Sequence, residues 1–264
     1  MGVVFQARDR QTGADLAIKV LHPALATNID IRRRFHREAS ILRSLEHPGL
    51  VQVQQVRDDP RGWTFITMEL IEGDTLETWL ARDEPNRTSS LLQLLASAAD
   101  ALQAAHDQGV THGDIKPSNI FVIPSDPPDM PRAKLVDFGL CKVEGLERLT
   151  RTGEVVGTPA YMPPELITGS ASSGPAADTY SLGIVLYECL AGRKPFQHRN
   201  PAQLLMQVVE GHYPPLEVCQ VTLPLELAQL VDACLCSEPS ERLSPISLVG
   251  TQLRHFASMM TASE

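Results

Sequence analysis

Asp114, Lys116 and Asn119 sit in one short stretch, VTHGDIKPSN, and Asp137 closes the apolar start of a second, KLVDFGL. Phosphoryl transfer needs a group that positions and deprotonates a hydroxyl, a cation for the phosphates, and oxygen ligands for a hard divalent metal. Asp114 suits the first part, Lys116 the second, and Asn119 with Asp137 the third. Each residue also has a plain reading: a turn aspartate, a solvated lysine, a cap and a strand end. Taken singly, the plain readings are preferable. The ordered set is what points to chemistry. Phe138 and a flexible Gly139 follow the second carboxylate directly, and Gly113 precedes the first.

These groups need elements to hold them. GVVFQARD and DLAIKVL are β-type runs separated by RQTGA, a hairpin-like turn with Gly13. A helix is expected from about Ile29 to Leu45, with Ile31, Phe35, Leu42 and Leu45 on one stripe. LVQVQQV then alternates, and WTFITMEL reads as a further strand. The remainder is mostly helical. Leu91, Leu94, Leu95, Ala98, Leu102 and Ala105 form one face, stopped by Gly109. Leu227, Leu230, Val231, Cys234 and Leu235 form another. PSDPPDMP is a turn between two short strands. EGD, residues 72–74, is the natural joint, dividing the chain into 1–71 and 72–264. There is no internal repeat.

One charge falls in an apolar place. Glu38 shares the face of Phe35 and Leu42, and a buried carboxylate needs a cation or a raised pKa. Lys19, on the strand face it shares with Ala17, is the candidate partner. A place at the stripe's edge, in contact with water, is the other reading of Glu38.

Composition removes several function classes. The 264 residues suffice for one large domain or two modest lobes around a cleft. A formal net charge of -9, with no basic stripe to offset it, argues against a general nucleic-acid binder. Five cysteines without framework spacing suit a reduced, cytoplasmic chain, and Cys234 and Cys236 are too close in sequence for a CxxC pair. The most apolar run, YSLGIVLYECLAG, falls short of the roughly 20 residues of a membrane span and reads as a buried helix. No secretory leader is expected, and Gln6 stands where a myristoylation signal wants Ser or Thr.

In these residues and their order, the chain resembles the protein kinase family over nearly its whole length. AIK around Lys19 resembles the family's V-A-I-K strand, and Glu38 falls where its helix glutamate lies. HGDIKPSN resembles H-R-D-L-x-x-x-N, DFG is intact, and GTPAYMPPE resembles the stretch ending in A-P-E. ADTYSLGIVLYECLAGRKPF is similar to the long buried helix whose aspartate, here Asp178, braces the catalytic loop. PSERLSP supplies Arg242, which the family pairs with Glu165. Lys116 and Pro117 resemble the Ser/Thr branch, and the wording is similar to bacterial eukaryotic-like kinases.

The resemblance implies an α+β, two-lobed fold. A small β-rich N-lobe lacks its first strand, the C-lobe is larger and helical, and an ATP cleft lies between them. It implies transfer of the γ-phosphoryl group of Mg-ATP to Ser or Thr of a protein substrate. Lys19 would hold the α- and β-phosphates and pair with Glu38. Asp114 would take the hydroxyl's proton, Lys116 would steady the γ-phosphate, and Asn119 and Asp137 would hold Mg²⁺. Gly2, Val4, Ala17, Met68 and Phe121 would surround the nucleotide, with the backbone of Glu69 and Ile71 bonding adenine. Phe138, His112, Leu42 and Val53 would form a packed column. Thr150 and Thr152 would be the regulatory loop sites, and Thr158 structural.

Two departures qualify this. Gly113 replaces the arginine that receives a loop phosphate, leaving Arg34 and Lys142 as the cations for such a pocket. Alanine at Thr150 or Thr152 is therefore expected to cost little activity. At the amino terminus only Gly2, Val3 and Val4 of the Gly-rich loop remain. Met1 reads either as an internal codon or as the start of a real truncation, and the chain as written is expected to be weak and association-prone. The rival reading is a non-catalytic pseudokinase that binds nucleotide as a scaffold.

Overall fold

The computed structural model describes residues 2–82, 87–124, 131–138, 159–170, 174–219 and 223–261, apart from the side chains of Pro23, Ala24, Arg34, Glu38, Arg87 and Thr261. The amino-terminal part is an antiparallel sheet of β1 (Gly2–Arg8), β2 (Asp15–Leu21), β3 (Val53–Asp58) and β4 (Thr64–Glu69), ordered β1-β2-β4-β3. The β1–β2 hairpin closes because Asp9 Oδ1 accepts from the N–H groups of Gln11 (2.7 Å) and Thr12 (2.9 Å), while Gly13 takes a φ of 74°. β1 is an edge strand, and Val3, Val4 and Phe5 on it are exposed.

β4 follows its period of two, burying Thr64, Ile66 and Met68. β3 does not, which corrects the expected plain alternation. Its register shifts between Val53 and Gln55, so Val53 lies opposite Met68 and Val56 opposite Ile66. The bulge absorbs the exposed Gln54 and returns both valines to one face. Between β2 and β3 come α1 (Pro23–Ala26) and α2 (Ile29–Ser44). Asn28 caps α2 by accepting from the N–H groups of Asp30 and Ile31, and Ile31, Phe35, Ala39 and Leu42 are the buried stripe.

The carboxy-terminal part begins with β5 (Asp74–Thr75), α3 (Leu76–Leu80) and α4 (Arg87–His106). β6 (Ile120–Ile123) and β7 (Arg132–Leu135) complete a small sheet, β5-β6-β7. Then follow α5 (Pro164–Thr168), α6 (Pro175–Ala191), α7 (Pro201–Glu210), α8 (Leu225–Leu235) and α9 (Ser247–Thr261). α6, from the YSLGIVLYECLAG run, is buried along most of its length, as a helix apolar on every side must be. It packs on α8 at Gly183, where a Cβ would come 2.6 Å from the Cβ of Cys234.

The two parts meet along β7. Val51 N–H donates to the Leu135 carbonyl (3.0 Å), and Leu135 N–H to the Gly49 carbonyl (2.8 Å). Leu21, Phe35, Leu42, Val53 and Ile66 belong to the same continuous core as Leu94, Ile115 and Phe138. Cleft residues carried by the two parts are therefore held in a fixed relation by backbone bonds and shared packing. No helix among the described residues is long and apolar enough to cross a membrane.

Candidate active site

One carboxylate organises the loop between α4 and β6. Asp178, in the first turn of α6, is wholly buried and accepts three bonds. They come from the N–H groups of His112 (2.8 Å) and Gly113 (2.7 Å) and from Nε2 of His106 (2.8 Å), in the last turn of α4. A buried charge is stable when its lone pairs are filled in this way. Gly113 has a φ of 71°, in the left-handed region, where a side chain costs roughly 1–2 kcal/mol. Glycine directly before the acid thus has a backbone reason, beside the loss of a cation.

His112 is fully buried. Its Nδ1 accepts from Asp114 N–H (3.2 Å), so Nε2 carries the proton and donates to the Val136 carbonyl (2.9 Å). Burial holds its pKa below the ordinary value of 6.5, against the raising pull of Asp178, and the neutral ring is the form these bonds require. The same ring stacks on Phe138 with centroids 4.4 Å apart. Leu42, Val53 and Phe138 are buried in the main core, so the four residues of the expected column are all interior.

Asp114, Lys116 and Asn119 converge. A 3-10 turn, Pro117–Asn119, folds the chain back so that Asn119 N–H reaches the Lys116 carbonyl (2.9 Å). Asp114 Oδ2 accepts from Lys116 Nζ (2.9 Å) and from Asn119 Nδ2 (3.0 Å). Asn119 Nδ2 also donates to the Asp114 carbonyl (2.8 Å), which fixes the amide's orientation and turns its oxygen away as the atom a hard cation takes. Both side-chain bonds to Asp114 fall on Oδ2. Oδ1 takes no bond from either of these two side chains.

Asp137 lies just beyond β7, between Val136, whose N–H donates to the Asn119 carbonyl (3.0 Å), and Phe138, which stacks on His112. Its φ is 58°, the sole positive value outside glycine among the described residues. Strain of that kind persists where surrounding structure enforces it, and it is common at functional sites. Its Oδ1 accepts from Lys19 Nζ (2.9 Å), on the buried face of β2. Glu38 lies on α2, but its side chain is outside the described residues; the partner shown for Lys19 is Asp137.

A small apolar cluster stands apart from the main core beside these charges. Ala17, Val51 and Met68 form it, with Leu70, Ile71 and Val136 packed against them. Ala17, Met68 and Ile71, all expected near adenine, meet here. Val4 lies opposite Lys19 in the β1–β2 ladder and is exposed. Gly2 passes so near the Val20 carbonyl that a Cβ would lie 2.2 Å from it. Phe121 is half-buried on β6, opposite Lys134. Thr150, Thr152, Thr158, Gly139 and Lys142 fall outside the described residues, as does the side chain of Arg34.

Sequence reasoning missed three features. His106 completes the Asp178 hub, and a histidine ending an apolar helical face was its signal. The Glu69 carboxylate accepts from Gln52 N–H (2.7 Å) and from Lys134 Nζ (2.6 Å), tying β4 to β7. Lys134 stood in an apolar run and could have been questioned as Glu38 was. Val51 and Val136 extend the apolar cluster, which becomes visible once the two parts are docked. The expected Glu165–Arg242 pair is present and buried: Nη1 and Nη2 of Arg242 each donate to a carboxylate oxygen at 2.7 Å.

Comparison with known proteins agrees with this geometry. The protein kinase domain family matches residues 1–253. The chain is 33% identical over 246 residues to serine/threonine-protein kinase PknA of Mycobacterium tuberculosis, covering 92% of this chain and 55% of that protein. It is 36% identical over 258 residues to serine/threonine-protein kinase PkaA of Streptomyces coelicolor, covering 94% of this chain and 46% of that one. Among solved structures, a doubly substituted form of the Mycobacterium tuberculosis PknI kinase domain superposes with a TM-score of 0.75 at 25% identity, covering 97% of this chain and 91% of that one. The chain therefore belongs to the protein kinase family, and its relatives place it in the serine/threonine branch. It spans about half the length of the curated relatives it matches.

Proposed function

We propose that the chain transfers the γ-phosphoryl group of Mg-ATP to Ser or Thr hydroxyls of a protein substrate. The observation that carries this reading is the convergence of Lys116 and Asn119 on Oδ2 of Asp114, together with the Lys19–Asp137 pair just beyond β7. Asp114 positions the hydroxyl and receives its proton on Oδ1, while Lys116 holds that carboxylate and offers charge to the γ-phosphate. Lys19, now on Asp137, orients the α- and β-phosphates. The apolar cluster of Ala17, Val51 and Met68 seats adenine, with the backbone of Glu69 and Ile71 as its hydrogen-bonding edge.

The donor set suits Mg²⁺. Among the described residues no group of three or more His, Cys, Asp or Glu side chains forms an all-protein cage. Asn119 and Asp137 would hold the ion, which neutralises phosphate charge when bound and takes its remaining ligands from phosphate and water. Use of ATP as the donor points to the cytoplasm as the site of action. Gly113 offers no cation to a loop phosphate, so Thr150→Ala and Thr152→Ala are expected to leave most activity in place.

The test is transfer of labelled γ-phosphate to a basic protein substrate, set beside Mg-ATP binding by the same preparation. Transfer that vanishes in Asp114→Asn supports the reading. Binding without transfer identifies the nucleotide-binding scaffold instead.

A further inference from the structure

The apolar stripe of α2 decides which face is buried, but hydrophobic contact is non-directional and leaves a helix able to slide and rock. Direction comes from a polar hub on the helix flank. Asp58, the last residue of β3, accepts from Thr64 Oγ1 at Oδ1 (2.6 Å). Its Oδ2 meets Arg32 Nη2 (3.0 Å) and His36 Nε2 (3.1 Å). Arg32 and His36 are one helical turn apart and so share a face of α2. Thr64 is buried and is the ladder partner of Asp58, so the sheet orients the carboxylate and the helix takes its other oxygen. Burial pulls the Asp58 pKa up, but the bonds from Thr64, His36 and Arg32 outweigh it and hold the group below the ordinary aspartate value, hence charged. At the other end of the helix, Gln52 Nε2 donates to the Arg43 carbonyl at a long 3.4 Å. Polar ties to β3 and its lead-in thus bracket α2.

We propose that Asp58 is a positioning residue for phosphoryl transfer: through Arg32 and His36 it sets α2, and with it the placement of Glu38, against the cleft. The inference rests on the phosphotransferase reading above. The side chains of Arg32, Asp58 and His36 are 41%, 40% and 34% exposed, so the tie is reversible and its loss acts by a few-fold and not by abolition.

The test combines kinetics with amide hydrogen exchange on the full chain. Asp58→Asn should lower kcat about three- to tenfold while the KM for protein substrate stays within about twofold. Exchange should quicken in α2 while β2 and α6 keep their protection. Asp58→Glu should recover most of the loss, and Arg32→Met added to Asp58→Asn should cost nothing more. Reduced kcat with unchanged α2 exchange overturns the proposal. So does quickened exchange across the whole sheet, which marks Asp58 as merely structural. Should the unaltered chain bind Mg-ATP and transfer nothing, the phosphotransferase reading fails; α2 exchange, measured with Mg-ATP, then decides the tether, and no response to Asp58→Asn sinks it.

Discussion

At the scale of single residues, the site depends on carboxylates whose oxygens are assigned before any substrate arrives. Asp114 has one oxygen committed to Lys116 and Asn119. Asp114→Asn should keep nucleotide binding and lower turnover at least about a hundredfold, because orientation of the hydroxyl and proton acceptance fail together. Lys19→Met should do similar damage through lost phosphate orientation. A steady-state rate within about threefold of the parent for Asp114→Asn would show that another residue is the base. His112 gives a pH signature. Its folded pKa is depressed, so the unfolded chain binds the proton more readily. Its contribution is in place above 6.5 and is lost as pH falls below that value towards the folded pKa. Urea midpoints measured downward from pH 7 should decline more for the parent than for His112→Phe, which keeps a ring beside Phe138 but cannot titrate. Parallel declines would remove His112 from the account.

At the scale of elements, α6 works as a post. Its first turn supplies Asp178 to the loop between α4 and β6, its middle packs on α8 through Gly183, and Arg242 donates to the Ala176 carbonyl near its start (3.0 Å) as well as to Glu165. Arg242 also bonds the carbonyls of Cys236 (2.8 Å) and Ser237 (2.9 Å), so one guanidinium joins α5, α6 and the turn after α8. Removing one member of a buried pair leaves an uncompensated charge and costs about 3–5 kcal/mol. Arg242→Met should therefore unfold at markedly lower denaturant concentration, with activity lost in step with folding. Arg242→Lys should rescue little, since Lys lacks the planar fork that fills both carboxylate oxygens. A midpoint unchanged in Arg242→Met would show that the pair does not support the lobe.

Across the whole molecule, the two parts are joined by backbone bonds at Gly49, Val51 and Leu135, by Lys19–Asp137 inside the cleft, and by Glu69–Lys134 behind it. One ion pair draws on β7 through Lys134 and the other on Asp137 just beyond it, so movement of one part against the other must pass through this stretch of chain. The sheet's β1 edge faces outward with Val3, Val4 and Phe5 exposed, and apolar edges template association. The 264-residue chain is expected to self-associate as its concentration rises. Phe5→Lys should reduce the association seen by light scattering, because an edge lysine blocks pairing; equal scattering from both would place the contact elsewhere.

Much was readable from the chain alone wherever a local rule applied. The stripe Ile31, Phe35, Leu42 and Leu45 specified α2, and the most apolar run of the chain, residues 180–192, a buried helix, because periodicity and apolar content are properties of neighbours in sequence. The family motifs brought Asp178, Glu165 and Arg242 to their partners by resemblance. What docking alone decided were pairings between distant segments with no spacing rule: His106 on Asp178, Lys134 on Glu69, and Lys19 on Asp137. The same holds for Gly113, whose left-handed backbone is dictated by Asp178 pulling two successive N–H groups, and for Gln54, extruded so that Val53 and Val56 could face one core. A chain segment carries its own period and its own caps. It does not carry the distance to a partner that folds beside it from elsewhere, and hydrogen bonds and ion pairs form at that distance.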